Sequence, residues 1–187
     1  MSDKIKILGI AGSLRKGSLN KALLREAVKL APENIEIEIA DISEIPLYNG
    51  DIEVQGTPEA VKVLKDKIRN ADALIIVTPE YNYSVPGVLK NAIDWVSRPV
   101  TDSPLNNKPL GIMGAGGMSG TIRAQLHLRQ VAVFTNMIDM KRPEVLVQKA
   151  SEKFDNEGNL IDQPTIQQVK KFLNAFVAWI KRVSIKK

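Results

Sequence analysis

The chain has 187 residues, 44% of them apolar and 25% charged, with a formal net charge of +5 at pH 7 and no cysteine. This composition predicts one globular domain over residues 1–187, and it excludes disulfides, thiolate metal sites and cysteine nucleophiles. The sequence has no apolar run long enough to cross a bilayer, no signal-peptide pattern and no dense basic block. We therefore expect a cytoplasmic protein that binds neither membranes nor nucleic acids.

Apolar runs of strand length recur along the chain. The third of them, "ALIIV", is continuously apolar, as expected of a parallel strand that is buried on both faces. The second, "IEIEIA", alternates strictly, which indicates a strand near an edge of the sheet. The five predicted strands cover residues 4–10, 35–40, 73–77, 110–113 and 144–147.

Helical patterns follow the first four strands and the last one. Thr57 is the expected N-cap of the second helix, with Pro58 as its first residue, and Ser84 is the expected N-cap of the third. Residues 41–55, with Pro46 and Gly50, are expected to form a loop. The other predicted helices cover residues 19–30, 87–97 and 121–133 and a long C-terminal segment that includes 166–180.

This alternation predicts a three-layer α/β fold, with a parallel sheet between helices on both faces. Ligands of such sheets bind at the carboxyl ends of the strands. Three loops with unusual residues follow strands here, at 12–20, 79–84 and 114–120. We expect them to converge at one edge of the sheet.

The first loop combines side chains that suit an anion. Ser13 and Ser18 offer hydroxyl groups, Arg15 a guanidinium and Asn20 an amide, next to the positive end of a helix. The alternative is that Ser18 is only an N-cap and Arg15 only a solvated cation. Position and composition together favour a phosphate site.

Two nucleotide-binding motifs are excluded for this loop. Gly12 and Gly17 have the spacing of a Walker A loop, but Ser18 and Leu19 stand where that motif requires Lys and Ser or Thr. The G-x-G-x-x-G pattern of dinucleotide sites is absent as well. A terminal phosphate such as that of FMN remains.

The second and third loops suit a flat ring. Tyr81, Asn82 and Tyr83 lie between a central strand and a helix, and "GAGGMSG" allows a close approach of the backbone. The alternative for the second loop is an ordinary turn whose tyrosines pack on a neighbouring element, and for the third a flexible turn.

"GSLRKGSLN" at 12–20 and "PEYNYSVPGVLKNAIDW" at 79–95 resemble the NAD(P)H-dependent FMN reductases, a family with chromate-, quinone- and azo-reducing members. The resemblance runs over nearly the whole chain and implies a flavodoxin-like fold with strand order 2-1-3-4-5. It implies that Ser13, Arg15, Ser18 and Asn20 hold the FMN phosphate. The residues it places around the isoalloxazine are Pro79, Glu80, Tyr81, Asn82, Tyr83, Gly116 and Gly117.

The resemblance also implies the reaction. NADPH or NADH would give a hydride to bound FMN, and an acceptor such as a quinone, chromate, an azo compound or a flavin would then take two electrons, in ping-pong order. Because the chemistry is centred on the flavin, we expect no catalytic side chain and no metal. The resemblance also implies a homodimer or homotetramer, because family members assemble in this way. Tyr83 and Arg123 match family positions near the subunit contacts.

Two other functions remain open from the sequence. The first is a flavodoxin-like electron carrier that binds FMN but does not itself oxidise NAD(P)H. A carrier that docks on basic redox partners would be acidic, whereas this chain is basic. The second is a flavin-sensing protein, for which the sequence offers no extra interaction segment.

Overall fold

A computed structural model of the chain describes residues 4–184. Its strands form one parallel sheet in the order β2-β1-β3-β4-β5, and a sixth strand, β6, also pairs with β4. The predicted order and the three-layer α/β class are therefore confirmed. The strands are β1 (Ile5–Ala11), β2 (Ile35–Ala40), β3 (Ala73–Val77), β4 (Pro109–Ala115), β5 (Ile138–Asp139) and β6 (Val145–Val147).

Residues 4–184 contain six α-helices, and five of them cover the two faces of the sheet. Apolar residues of α1 and α6 pack on one face, and those of α3, α4 and α5 pack on the other. None of the helices within residues 4–184 has the length and hydropathy of a membrane span. The helices are α1 (Leu19–Lys29), α2 (Gly50–Gln55), α3 (Glu59–Asn70), α4 (Gly87–Val96), α5 (Ile122–Phe134) and α6 (Gln163–Val183).

The sheet separates two hydrophobic cores. Every residue of β3 and β4 is buried, because helices cover both faces of these central strands. On the side of α6, Phe172 and Phe176 stack with their ring centroids 5.9 Å apart. On the other side Trp95 is 1% exposed and donates a hydrogen bond from its ring nitrogen to the Pro46 carbonyl. Because β1, β3 and β4 pair in parallel, their carboxyl ends lie side by side.

The last strand position differs from its prediction. The sequence predicted one strand at 144–147 beside β4, but two short strands, β5 and β6, pair with β4 there. β5 pairs with the start of β4, and β6 pairs with its end. β5 is only two residues long, and its Asp139 binds the Arg129 side chain of α5. Two residues are too few for a hydrophobic period to be recognised.

Three local predictions about helix ends are wrong. Part of the predicted loop at 41–55 is helical, since the side chain of Asn49 caps α2 by accepting a hydrogen bond from Asp51 N at 2.9 Å. Thr57 does not cap α3, because Pro58 occupies the N-cap position and the helix begins one residue later. Ser84 does not cap α4, since Pro86 takes that position. Proline at an N-cap leaves the helix without a side-chain cap.

Gly111 in β4 faces the stacked Phe172 and Phe176. A Cβ at this glycine would lie 2.8 Å from Phe172 Cζ, so Gly111→Ala would push on a closely packed ring pair. We expect this variant to lose about 1–3 kcal/mol of unfolding free energy in urea titrations. The control is Gly50→Ala at the start of α2, where a Cβ would meet nothing within 4 Å. Equal stability of the two variants would contradict the prediction.

Candidate functional site

The carboxyl ends of β1, β3 and β4 bring the three predicted loops together. These strands are direct neighbours, and each leads through its loop into a helix: residues 12–18 into α1, 78–86 into α4 and 116–121 into α5. Parallel strand neighbours lie about 4.8 Å apart, so the loops are adjacent. A single ligand can therefore contact all three.

The loop after β1 presents a row of free backbone donors. Within the described chain, the N–H groups of residues 13–17 and of Leu19 and Asn20 donate no hydrogen bond to another protein group. The Ser13 side chain is 4% exposed and has no hydrogen-bond partner among residues 4–184. Buried polar groups normally have partners, and a helix N-terminus attracts anions. The loop thus has the features of an anion site.

The predicted phosphate ligands divide into two groups. Ser18 caps α1, and its hydroxyl oxygen accepts a hydrogen bond from Lys21 N at 3.3 Å, which leaves its own O–H free to donate. Arg15 is exposed at the rim of the loop. Asn20 is different, because its amide nitrogen donates to the Ala115 carbonyl at 2.8 Å and its oxygen accepts from Ala115 N at 2.9 Å. Asn20 therefore fixes the loop to the end of β4.

The glycines of the first loop are not equivalent. A Cβ at Gly12 would lie 2.9 Å from Leu89 Cδ2, so this position must stay small for the loop to pack on α4. A Cβ at Gly17 would meet nothing within 4 Å, and Gly17 does not have a positive φ. Of the two glycines, only Gly12 is therefore required by the packing of the loop.

The loop after β3 contains a tight turn. Tyr81 and Ser84 exchange backbone hydrogen bonds of 3.1 and 2.9 Å, with Asn82 at φ 49° and Tyr83 at φ 64° between them. Positive φ at both central residues is the pattern of a type I′ turn. For a bulky residue such as Tyr83 this conformation costs about 1–2 kcal/mol. The turn therefore depends on contacts with the rest of the protein.

Glu80, next to the turn, supplies the strongest of these contacts. Its carboxylate accepts hydrogen bonds from Arg123 N at 2.9 Å, Ala124 N at 3.3 Å and Ser119 Oγ at 3.2 Å. Thr121, the N-cap residue of α5, provides no side-chain cap, so Glu80 satisfies the free donors of that helix from a distant part of the chain. Glu80 thus joins the second loop to the third.

The same contacts keep Glu80 ionised. Burial alone would raise the pKa of its carboxyl group, but hydrogen bonds from the Ala124 N–H, the Arg123 side chain and N–H and the Ser119 hydroxyl outweigh burial and lower the pKa. The carboxylate is therefore an anchor for α5. It is poorly suited to act as a proton donor near neutral pH.

Two further side chains of α5 hold the turn, and sequence reasoning missed this role. The Arg123 guanidinium carbon lies 4.0 Å from the centre of the Tyr83 ring, a cation–π contact. His127 Nδ1 lies 2.9 Å from Ser84 Oγ. The four-residue spacing of Arg123 and His127, which places both on one helix face, was the only signal available.

The glycine-rich loop after β4 is held by hydrogen bonds to the segment after β6. Gly116 N donates to the Val147 carbonyl at 3.0 Å, and the Gly117 carbonyl accepts from Lys149 N at 2.9 Å. The Gly117 N–H has no partner among the described residues, and a Cβ there would meet nothing within 4 Å. Gly117 therefore borders open space at the site with a free donor.

Together the loops form an anion site next to an exposed apolar rim. Leu14, Tyr81, Tyr83 and Met118 at this edge are between 46% and 74% exposed. No group of three or more His, Cys, Asp or Glu side chains that could hold a metal occurs within residues 4–184. The arrangement suits a ligand with a terminal phosphate and a flat ring.

Comparison with known proteins identifies the family. Residues 5–152 match the family described as NADPH-dependent FMN reductase. The chain belongs to this family. It is 50% identical to a Pseudomonas aeruginosa protein named NAD(P)H-dependent FMN reductase, over 98% of this chain and 99% of that one. It is 44% identical to a quinone reductase of Escherichia coli, over 99% and 100% of the two chains.

A solved structure agrees with this assignment. The flavoenzyme NAD(P)H:(acceptor) oxidoreductase FerB of Paracoccus denitrificans is 36% identical and superposes with a TM-score of 0.88, covering 96% of this chain and 99% of that one. The predicted family, its FMN cofactor and its NAD(P)H-dependent oxidoreductase activity are thus confirmed. The free donors of residues 13–17, the unpartnered Ser13 hydroxyl and the exposed apolar rim fit such a flavin.

Glu80→Gln tests how the second and third loops are joined. The neutral amide keeps one acceptor but loses the charge that α5 binds, so we expect a loss of about 1–3 kcal/mol of unfolding free energy at pH 7. Because folding lowers the pKa of Glu80, the stabilisation is complete above the unfolded pKa of about 4.3 and disappears as the pH falls through the folded pKa.

Urea titrations of wild type and variant between pH 7 and pH 3.5 measure this difference. The control is Glu59→Gln, since Glu59 is 80% exposed and its one ion pair within residues 4–184 is a long one of 3.5 Å to Lys62. We expect the control to change stability by less than about 0.5 kcal/mol. A difference for Glu80→Gln that stays constant over the whole pH range would contradict the prediction.

Proposed function

We propose that this protein is an FMN-dependent NAD(P)H oxidoreductase that passes two electrons to a quinone. The observation that carries the proposal is the row of free N–H donors at residues 13–17 beside the exposed apolar rim. Relatives from several organisms are named quinone reductases, which supports a quinone as acceptor. We also propose that residues 1–187 act as one domain, in the cytoplasm.

Side chains of the first loop would hold the phosphate of FMN. Ser13 and Ser18 would donate from their hydroxyl groups and Arg15 from its guanidinium, together with the free backbone donors of the loop. Asn20 would position this loop, because both atoms of its amide already bind Ala115. Its part in phosphate binding is therefore indirect.

Main-chain groups of the other loops would border the ring. The N–H groups of Asn82, Tyr83 and Gly117 have no partners among the described residues and can donate to the polar edge of the flavin. The contacts made by α5 would keep them in place. The residues assigned to this part of the site are Pro79, Glu80, Tyr81, Asn82, Tyr83, Gly116 and Gly117.

When bound, FMN supplies the redox chemistry, taking a hydride from NADPH or NADH and giving two electrons to the acceptor. The protein would bind, orient and leave one face of the ring accessible. The exposed Tyr81 and Met118 at the rim are apolar surfaces on which a nicotinamide or a quinone can rest. Since the two substrates would use the same face in turn, we expect ping-pong kinetics.

Anaerobic addition of NADPH or NADH to the FMN-loaded protein tests the function. We expect the flavin absorbance band to bleach at the rate of turnover and to return when a quinone is added. Parallel lines in double-reciprocal plots would identify the ping-pong order. A bound flavin that both nucleotides leave oxidised would instead identify an electron carrier.

Arg15→Ala tests the phosphate site through its affinity for FMN, which a titration of the flavin-free protein with FMN measures. We expect its FMN dissociation constant to rise about tenfold, because one charge-assisted hydrogen bond is lost. The control is Arg182→Ala, which removes an arginine near the Trp179 ring in α6. Equal FMN affinities of both variants would contradict the assignment of Arg15.

We further propose a homodimer or homotetramer in which the outer face of α5 forms a subunit contact. Val133 and Phe134 are 81% and 68% exposed, and Phe134 lines a groove of about 630 Å³ between α4 and α5. Tyr83 and Arg123 lie exposed at the N-terminal end of the same helix. Large exposed apolar residues next to a groove are typical of protein interfaces.

Light scattering of a Val133→Ser/Phe134→Ser variant tests this contact. We expect a lower molecular mass than that of the wild type, because the variant removes apolar surface that association would bury. The control is Val54→Ser in α2, where the side chain is 89% exposed and away from the groove. An unchanged mass for both variants would contradict the proposed contact.

A further inference from the structure

Met118 in the glycine-rich loop differs from the other methionines of residues 4–184 in its exposure. Its side chain is 74% exposed, whereas Met113, Met137 and Met140 are between 0% and 6% exposed. The thioether of methionine is oxidised to a sulfoxide where an oxidant reaches the sulfur. Among these four methionines, Met118 is therefore the accessible target.

The backbone on both sides of Met118 is anchored. The Gly117 carbonyl accepts a hydrogen bond from Lys149 N at 2.9 Å, and Ser119 Oγ donates to a Glu80 carboxylate oxygen at 3.2 Å. Each neighbour of Met118 is thus tied to a different segment of the chain. The loop presents the Met118 side chain to solvent between these two anchors.

Met118 lies next to the place proposed for the flavin ring. Its Cα is about 3.8 Å from that of Gly117, as for any two consecutive residues. The Gly117 N–H has no partner among the described residues and is assigned above to the polar edge of the ring. Met118 therefore belongs to the apolar rim on which a flat acceptor would rest.

The proposed reaction supplies an oxidant at this position. In air, dioxygen would take the two electrons in place of a quinone and, with two protons, become hydrogen peroxide. The Met118 sulfur would attack one peroxide oxygen, so that an S–O bond forms as the O–O bond breaks. The second oxygen leaves as water, carrying the proton of the first. The sulfur loses two electrons, and the peroxide gains them.

We propose that Met118 is a site of reversible oxidation, and that its sulfoxide weakens the binding of apolar acceptors such as quinones. The inference rests on the proposed oxidoreductase function and goes beyond it, because it makes acceptor binding depend on peroxide. The sulfoxide replaces a soft apolar surface by a polar group that water solvates. A quinone would have to displace this water before it could rest on the rim.

Peroxide treatment of the FMN-loaded protein, followed by tandem mass spectrometry of its peptides, tests the site without any turnover. We expect Met118 to gain one oxygen at least about tenfold faster than the buried Met113, Met137 and Met140, because oxidation follows exposure. Methionine sulfoxide reductase should then remove this oxygen.

Steady-state kinetics with menadione tests the consequence, and each protein is compared with its own untreated form. We expect treatment to raise the KM of wild type for menadione about threefold to tenfold, since apolar contact is lost. Met118→Leu has no sulfur, so its KM should not respond to peroxide, whatever its starting value. The control, Met140→Leu, removes a buried methionine and should respond as wild type does.

Turnover in air tests whether the reaction itself supplies the oxidant. Oxidation of NADPH in air without a quinone should convert Met118 to the sulfoxide. The same amount of NADPH oxidised under argon with menadione should leave Met118 unmodified, because no peroxide forms.

Four outcomes would overturn the proposal. They are equal oxidation rates of Met118 and the buried methionines, an unchanged KM for menadione in oxidised wild type, a response of Met118→Leu that equals that of wild type, and no sulfoxide after turnover in air. A failure of the oxidoreductase function is distinguishable. The FMN-loaded protein would then oxidise neither NADPH nor NADH, whereas mass spectrometry after added peroxide would still report on Met118.

Discussion

The candidate site depends on one buried amide, that of Asn20. Its two hydrogen bonds to the backbone of Ala115 join the first turn of α1 to the last residue of β4, across the end of β3. A buried amide satisfied on both sides is costly to break, because either partner would then lose its hydrogen bonds without access to water. The phosphate loop and the glycine-rich loop are therefore held at a fixed distance from each other.

The strained turn between β3 and α4 is held in a comparable way. Tyr83 adopts a left-handed conformation that a tyrosine avoids, and α5 compensates through contacts with Glu80, Tyr83 and Ser84. Backbone strain of this kind persists only where the surroundings determine it, and it is found at functional sites. In this protein the turn leaves the N–H groups of Asn82 and Tyr83 without partners among the described residues, at the edge where the three loops meet.

Much of the fold and part of the site could be predicted from the sequence. The bounds of β2 and β3 follow from hydrophobic period alone, because each is a clean run of five or six residues. β5 could not be predicted, since it is two residues long and is fixed by Arg129. Ser13 and Ser18 could be recognised as candidate phosphate ligands because they stand between a strand and a helix. The contact of His127 with the turn after β3 could not, because its partner Ser84 is 43 residues away.

The sequence by itself determined the parallel α/β class, the three loops and the family, because these depend on hydrophobic periods and on residues that are near each other along the chain. The tertiary structure decided which side chains remain free for a ligand. Asn20 and Glu80 have the chemistry of ligand-binding residues, but both are engaged in joining loops. Hydrogen bonds between distant segments leave no periodic signal, so they are decided only when the chain is folded.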